Sequence, residues 1–314
     1  MNNMIWLIRR EIWENRSLWI APLVVAGVIL VIAAFGGIHV GENDNFWFGS
    51  ADHGDQMSAE DRENIRQAMS TAGADKKQLI YAITLSTFTG VQFFSMFIVL
   101  FFYLLDSLLA ERKDRSILFW KSLPVSDTQV VLSKLLTAAV VVPVFVLLVS
   151  SVLQVLFAGV WSLRFGGTVI GDALMAWDGA TWIKLQASFL LLLVIGILWY
   201  LPLVAYLMVI SVWARRNAFL WAVLPPLSIL AIEGLILHSH NFGNFLGRRL
   251  IGMFQLMELG GGSSFEGSDH LPTVAEVFEH VSSVFISHET WLGVLVAAVM
   301  IFGAIRIRRY RDDS

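Results

Sequence analysis

Cysteine is absent from this chain of 314 residues. The sequence therefore excludes disulfide bonds, thiolate metal sites and cysteine nucleophiles. Charged residues make up only 15% of the chain, whereas about 25% is usual for a soluble globular protein. Hydrophobic residues reach 56% and the mean hydropathy is +0.68. This composition is typical of a protein that lies mostly within a membrane.

A nucleotide-binding loop is also missing from the sequence. The pattern Gly-x-x-x-x-Gly-Lys-Ser/Thr does not occur, and the chain contains no Gly-Lys pair. No constellation of catalytic residues is recognisable within the apolar segments, which disfavours an intramembrane enzyme. We therefore predict that this chain is not an enzyme and carries no cofactor.

Six segments are long and apolar enough to cross a hydrocarbon core of about 30 Å as helices, which takes about 20 residues each. Helices satisfy all their backbone hydrogen bonds internally, and long runs of Leu, Val and Ile disfavour a transmembrane barrel. The sequence thus predicts an all-α polytopic membrane protein with a single transmembrane domain. The predicted spans are 18–38, 81–105, 133–158, 185–212, 218–237 and 289–305.

The segments outside the spans have different characters. Residues 1–17 predict an amphipathic interfacial helix, because Ile5, Ile8, Ile12 and Trp13 share one face, and we expect it to turn into the first span near Pro22. A second amphipathic helix is predicted from Val274 onward, within the loop before the last span. The remaining predicted segments are outer loops 39–80, 159–184 and 238–288, cytoplasmic loop 106–132 and tail 306–314.

Basic residues are distributed unevenly between the two sides of the membrane. Of the 22 lysine and arginine residues, fourteen fall on the side that carries both termini. The positive-inside rule therefore predicts cytoplasmic termini, and a bacterial inner membrane is the expected location. All seven histidines fall on the predicted outer side. His238 and His240 are spaced like part of a metal site, but no third ligand has a diagnostic spacing, so we predict no metal.

The cytoplasmic loop 106–132 carries the motif that points to a function. We expect a short helix over 110–122, a turn at Pro124, and a second helix that begins with a capping box of Ser126 and Gln129. The run Leu118-Phe119-Trp120 exposes apolar surface, which favours a protein partner. The alternative interpretation is an ordinary basic loop that only sets topology.

This loop resembles that of permease subunits of type 2 ABC exporters. The shared pattern is an acidic–basic pair, an apolar run, Ser-Leu-Pro-x-Ser and a Ser-Lys pair in the next helix. The matching residues are Glu111, Arg112, Ile117, Leu118, Ser122, Leu123, Pro124, Ser126, Ser133 and Lys134. The layout of an N-terminal amphipathic helix, six spans and a large loop before the last span is also similar.

The resemblance implies a coupling helix that binds in a groove of a separate ABC ATPase subunit. It also implies an ATPase dimer, which binds ATP and Mg, beneath two permeases, the second being another copy or a related chain. The implied ATPase-coupling residues are Glu111, Arg112, Ile117, Leu118, Trp120, Leu123, Pro124 and Ser126. No nucleic-acid partner is expected, whereas membrane lipid is.

Three residues within the spans are candidates for a translocation path. Glu233 is the one acidic residue well inside a predicted span, and intramembrane charges usually face a cavity or a partner. Phe94 and Phe97 are candidates for the lining of a hydrophobic translocation path, although packing against other side chains or lipid is the simpler interpretation. The function expected from these features is a permease that couples ATP hydrolysis by a partner to export of an amphipathic or hydrophobic substrate. The alternative is a membrane scaffold or sensor that transports nothing.

Overall fold

A computed structural model of the protein describes residues 3–35, 37–40, 46–49, 74–114, 125–165, 179–258 and 274–310. Helices account for nearly all of this part of the chain. The helices are α1 (Asn3–Glu14), α2 (Ser17–Phe35), α3 (Ala74–Ser107), α4 (Leu109–Lys113), α5 (Asp127–Leu136), α6 (Val142–Phe165), α7 (Gly179–Trp213), α8 (Ala218–Ile232), α9 (Asn241–Glu258), α10 (Val274–Ile286) and α11 (His288–Tyr310). Two π-helical turns, Thr137–Val141 and Glu233–Leu237, continue α5 into α6 and extend α8.

The prediction of an all-α polytopic membrane protein is confirmed. Six helical stretches in the described part of the chain are long and apolar enough to cross a membrane: Ser17–Phe35, Tyr81–Lys113, Asp127–Leu163, Gly179–Trp213, Ala218–Leu237 and His288–Tyr310. Helices α6 and α7 extend past the predicted span ends into the predicted loop 159–184.

A short β-hairpin follows the first span and was not predicted from the sequence. Strands β1 (Gly37–Val40) and β2 (Phe46–Gly49) pair antiparallel, with Gly37 opposite Gly49 and Val40 opposite Phe46. A two-stranded hairpin is marginal on its own, so it is a small addition to a helical protein.

Helix α7 lies at the centre of the bundle and contacts α3, α10 and α11. Its residues Ile195 and Met208 are almost fully buried, as are Leu85 of α3 and Val131 of α5. Lipid tails are as apolar as these side chains, so the contacts stabilise the bundle mainly by close packing. By contrast, α8 exposes apolar side chains along most of its length and buries only Ala218 and Ala222.

The N-terminal helix turns into the first span earlier than the sequence predicts. Helix α1 ends at Glu14 and α2 begins at Ser17, so the expected turn at Pro22 is wrong. Pro22 lies within α2, where its carbonyl oxygen accepts a hydrogen bond of 3.2 Å from Gln92 Nε2. This bond joins α2 to α3; the backbone group that Pro22 leaves without its usual helical partner is the carbonyl of Leu18, four residues earlier.

Two helices lie in the described part of the segment before the last span. The predicted amphipathic helix is confirmed as α10, whose Val277, Val281 and Val284 pack against the main core while Phe278 and Phe285 remain exposed. Helix α9 precedes it. The side chains of Trp199 and Tyr200 in α7 donate hydrogen bonds to carbonyl oxygens of α9, so α9 is held against the middle of α7.

Candidate functional site

Six charged side chains from four helices meet at one end of the bundle. Helix α1 supplies two of them, α4 one, α5 two and α11 one. We call this set the charge cluster, and its members are Arg10, Glu11, Glu111, Asp127, Lys134 and Arg308. The side chains of Glu11, Arg308 and Lys134 are exposed by only 0%, 2% and 3%. Three positive and three negative groups therefore balance one another in a nearly buried site.

Two cations bridge the same pair of carboxylates at the centre of the charge cluster. Lys134 Nζ lies 2.8 Å from Glu11 Oε1 and 3.1 Å from Glu111 Oε1. Arg10 Nη2 lies 2.9 Å and 3.3 Å from the same two oxygens. Because the two carboxylates come from α1 and α4, these contacts join the N-terminal helix to the end of the second span.

Arg308 extends the charge cluster to the last helix. Its Nη1 donates to Glu111 Oε2 at 2.6 Å, and its Nε donates to Asp127 Oδ1 at 3.0 Å. Glu111 lies before residues 115–124 of the predicted coupling loop and Asp127 lies after them. One guanidinium group thus ties α11 to both flanks of that loop.

Neutral groups complete the hydrogen bonding of Glu11. Tyr103 donates its hydroxyl to Glu11 Oε2 at 3.0 Å, and Asn15 Nδ2 donates to the same oxygen at 3.4 Å. A buried carboxylate is costly unless it is paired and hydrogen-bonded, and both oxygens of Glu11 have partners. At the edge of the cluster, partial burial raises the pKa of the Glu14 carboxyl, while Arg10 at 3.4 Å acts in the opposite direction.

Arg112 anchors the beginning of the predicted coupling loop to the end of α7. Its Nη2 donates to the carbonyl oxygens of Ser211, at 2.9 Å, and Ala214, at 2.6 Å. The Ser211 hydroxyl in turn accepts the backbone N–H groups of Leu108 and Leu109, at 3.0 Å and 3.2 Å. A cation at a helix C-terminus is favourable because the last carbonyls carry partial negative charge.

The other flank of the loop begins a helix as the sequence predicts. The Ser126 hydroxyl accepts from the backbone N–H of Gln129 at 3.2 Å, and Gln129 Oε1 accepts from the N–H of Ser126 at 3.1 Å. The predicted capping box is therefore confirmed. It fixes the point at which α5 starts and hence the position of Asp127 in its first turn.

The predicted ATPase-coupling residues divide into two groups. Glu111, Arg112 and Ser126 are described and flank the loop; Glu111 and Arg112 direct their side chains into the bundle, where they fix the ends of the loop. The other five, Ile117, Leu118, Trp120, Leu123 and Pro124, lie outside the described residues. Sequence reasoning missed the clustering of Arg10, Glu11 and Arg308 with the motif residue Lys134.

Glu233 lies apart from the other two candidate path residues. Its carboxylate accepts backbone N–H groups of Phe242, at 2.9 Å, and Gly243, at 3.1 Å, and the Ser239 hydroxyl at 3.1 Å. It therefore caps the N-terminus of α9, as a side-chain acceptor does at many helix starts. The predicted phenylalanines, Phe94 and Phe97, instead line an apolar cavity between α3, α6 and α7.

Comparisons with protein-family models, curated proteins and solved structures found no match to this chain.

Proposed function

We propose that this chain is the transmembrane permease subunit of an ATP-driven exporter, paired with a separate ABC-type ATPase. The observation that carries the proposal is the anchoring of the loop that contains residues 115–124. Glu111 and Arg112 fix its first flank to α5, α7 and α11, and Asp127 fixes its second flank to α11. The loop is the segment that resembles a coupling helix.

Anchoring of this kind is what force transmission requires. A loop that moves with an ATPase can move membrane helices only if its ends do not slide against them. Breaking a buried ion pair by removing one partner costs about 3–5 kcal/mol, so a network of such pairs moves as a unit. Displacement of the loop would therefore displace α1, α5 and α11 together.

The chemistry of ATP hydrolysis belongs to the partner in this proposal. The chain has no Gly-Lys pair and hence no P-loop, so ATP and Mg bind to the ATPase dimer. The exposed apolar side chains of α8 suit lipid and a second permease, which is another copy or a related chain. The charge cluster brings α1 and the end of α11 to the same end of the bundle, which supports placing both termini in the cytoplasm beside the loop.

Co-purification tests the proposal directly. The full chain is expressed with each separate ABC-type ATPase subunit of its source organism, and complex formation and substrate-stimulated ATP hydrolysis are measured. Leu118→Asp and Trp120→Asp are expected to abolish both, because they place a charge in the apolar run of the loop. The control is Phe278→Asp, an equivalent change at an exposed site on α10, which should leave the complex intact. Complex formation and hydrolysis retained in both loop variants would contradict the proposal and favour a scaffold or sensor.

A further inference from the structure

An apolar cavity of about 260 Å³ lies between α3, the first part of α6 and α7. Ala138, Ala139 and Gly196 form the part of its wall that has small side chains, and aromatic and aliphatic side chains form the rest. The residues that define it best are Phe97, Leu100, Ala138, Ala139, Gly196 and Tyr200. An engineered apolar cavity of about 150 Å³ stays dry and binds benzene, so this cavity is large enough for part of a hydrocarbon chain.

The lining offers no charge to a ligand. None of the described residues that line the cavity is ionic, and its Tyr200 hydroxyl already donates to the Leu250 carbonyl oxygen at 3.0 Å. A ligand with a charged or hydrogen-bonding group inside the cavity would leave that group unsatisfied, which is costly. The lining therefore favours the hydrocarbon part of a ligand over any part that carries a charge or a hydrogen-bonding group.

Polar layers bound the cavity along the bundle axis. On one side lies the charge cluster. On the other side Gln154 accepts hydrogen bonds from Trp182, at 3.0 Å, and Gln186, at 2.6 Å, and donates to Thr89 at 2.9 Å. A hydrocarbon chain therefore has no favourable route into the cavity along the axis.

The cavity can be reached from the side of the bundle that faces lipid. The side chains of Phe94 and Leu250 belong to the lining and are 57% and 41% exposed at the surface of the bundle. Both lie beside or within segments that cross the membrane, where the surrounding solvent is lipid tails. A hydrocarbon chain that enters from the side therefore passes from lipid tails into an apolar cavity, and no charged group has to lose its hydration.

The wall of the cavity also contains an irregular piece of backbone. Ala138 and Ala139 belong to the π-helical turn Thr137–Val141, which interrupts an otherwise continuous helical stretch. Single π-helical turns are rare in proteins, and those that exist are often found at functional sites. Here the turn presents two alanines to the cavity, which widens it.

We propose that this cavity binds one hydrocarbon chain of a membrane lipid, which enters laterally past Phe94 while the head group stays outside. Binding follows from the cavity and its membrane surroundings, whereas identifying the bound lipid as the exported substrate rests on the proposed function. The proposal thus narrows the substrate class to molecules that carry an acyl or similar chain.

Photo-labelling in a bilayer tests this site. The full chain is reconstituted in lipid nanodiscs with phosphatidylglycerol that carries a diazirine in the middle of one acyl chain, and labelled residues are mapped by mass spectrometry. Labels are expected on the cavity residues and should be competed by the same lipid without the diazirine. Ala139→Phe fills the cavity and should lower this labelling at least about tenfold, since each methylene excluded from an apolar site weakens binding about fourfold.

Two further variants separate loss of the site from loss of the fold. Leu148→Phe adds bulk on α6 at a site that is 61% exposed and does not line the cavity, so labelling should not change. Leu100→Ala enlarges the cavity and should raise labelling. Labels scattered over the lipid-facing surface, or equal cavity labelling in all four proteins, would overturn the proposal.

The exporter proposal fails or survives on a separate measurement. If an acyl chain labels the cavity but the protein stimulates ATP hydrolysis by no ATPase, the lipid site is supported and the exporter function is rejected. ATP hydrolysis stimulated equally in the Ala139→Phe variant and the unaltered protein would retain the exporter and reject the cavity as the place where its substrate binds.

Discussion

Lys134 Nζ contacts Glu11 Oε1 at 2.8 Å, although 123 positions separate the two residues in the sequence. This ion pair changes the role expected of the N-terminal helix. An interfacial helix could simply float on the membrane surface, whereas α1 is joined to the third span through a buried carboxylate. The apolar side chains Ile5, Trp6 and Trp13 remain more than half exposed on the other side of α1, which suits contact with lipid.

Neutralising Glu11 should destabilise the protein strongly. Glu11→Gln removes one of the two carboxylates that Lys134 and Arg10 share, and the expected loss in the free energy of unfolding is about 3 kcal/mol, because the buried cluster is left with an uncompensated positive charge. The measurement is equilibrium unfolding in mixed detergent micelles. The matched control is Glu14→Gln on the same helix, whose side chain is 54% exposed and whose loss should stay within about 0.5 kcal/mol. Equal losses for the two variants would contradict the geometry of the charge cluster.

Removing Arg112 should release the start of the loop from α7. Arg112→Ala deletes a charged donor to two carbonyl oxygens, and we expect a loss of about 2 kcal/mol in the free energy of unfolding. In complex with the ATPase, substrate stimulation of hydrolysis should fall while basal hydrolysis remains. Lys113→Ala is the control, because Lys113 is the exposed neighbour in the same helix. Stimulation that survives Arg112→Ala would show that this anchor is not needed for coupling.

Glu233 should behave as a helix cap. Glu233→Gln keeps the shape of the side chain but weakens the acceptor, so the free energy of unfolding should fall and amide exchange at Phe242 and Gly243 should quicken. The comparison variant is Glu289→Gln, whose side chain is 63% exposed and whose loss should be negligible. A change in transport with no change in amide exchange would instead favour a place in the substrate path.

The absence of cysteine makes topology easy to test. Asp114→Cys introduces a single thiol at an exposed position next to the charge cluster, and Ser282→Cys introduces one at a partly exposed position on α10. A membrane-impermeant maleimide should label Ser282→Cys in intact cells but Asp114→Cys only after permeabilisation. The reverse pattern would place the loop on the outer side and remove the basis for an ATPase partner.

The sequence was sufficient for those features that depend on short-range pattern. Length and hydropathy predict the six spans, and the spacing of Ser126 and Gln129 predicts the start of α5. These inferences succeed because the interactions involved lie within one helix or between one helix and lipid.

The charge cluster could not be predicted in the same way. Glu11 follows Arg9 and Arg10 and precedes Glu14 by three positions, so the local pattern indicates only a charged, solvated face of α1. A signal was present, because Leu7, Glu11 and Asn15 recur at intervals of four, and Leu7 and Glu11 are buried. Its partners, however, come from α4, α5 and α11, and no local pattern indicates which distant cation meets a given carboxylate. The same limit applies to Glu233, whose partner amides belong to the following helix.

The order of synthesis gives the charge cluster a further consequence. The ribosome makes Glu11 and Glu111 before Lys134, and Arg308 emerges last of all. Until the final helix is inserted, the nascent chain carries a surplus of negative charge at the end where its segments must dock. In a truncated or slowly inserted chain, α1 would already be held to Lys134 and Glu111, but Asp127 would lack its arginine partner and the two flanks of the loop would not be tied to one another until Arg308 arrives.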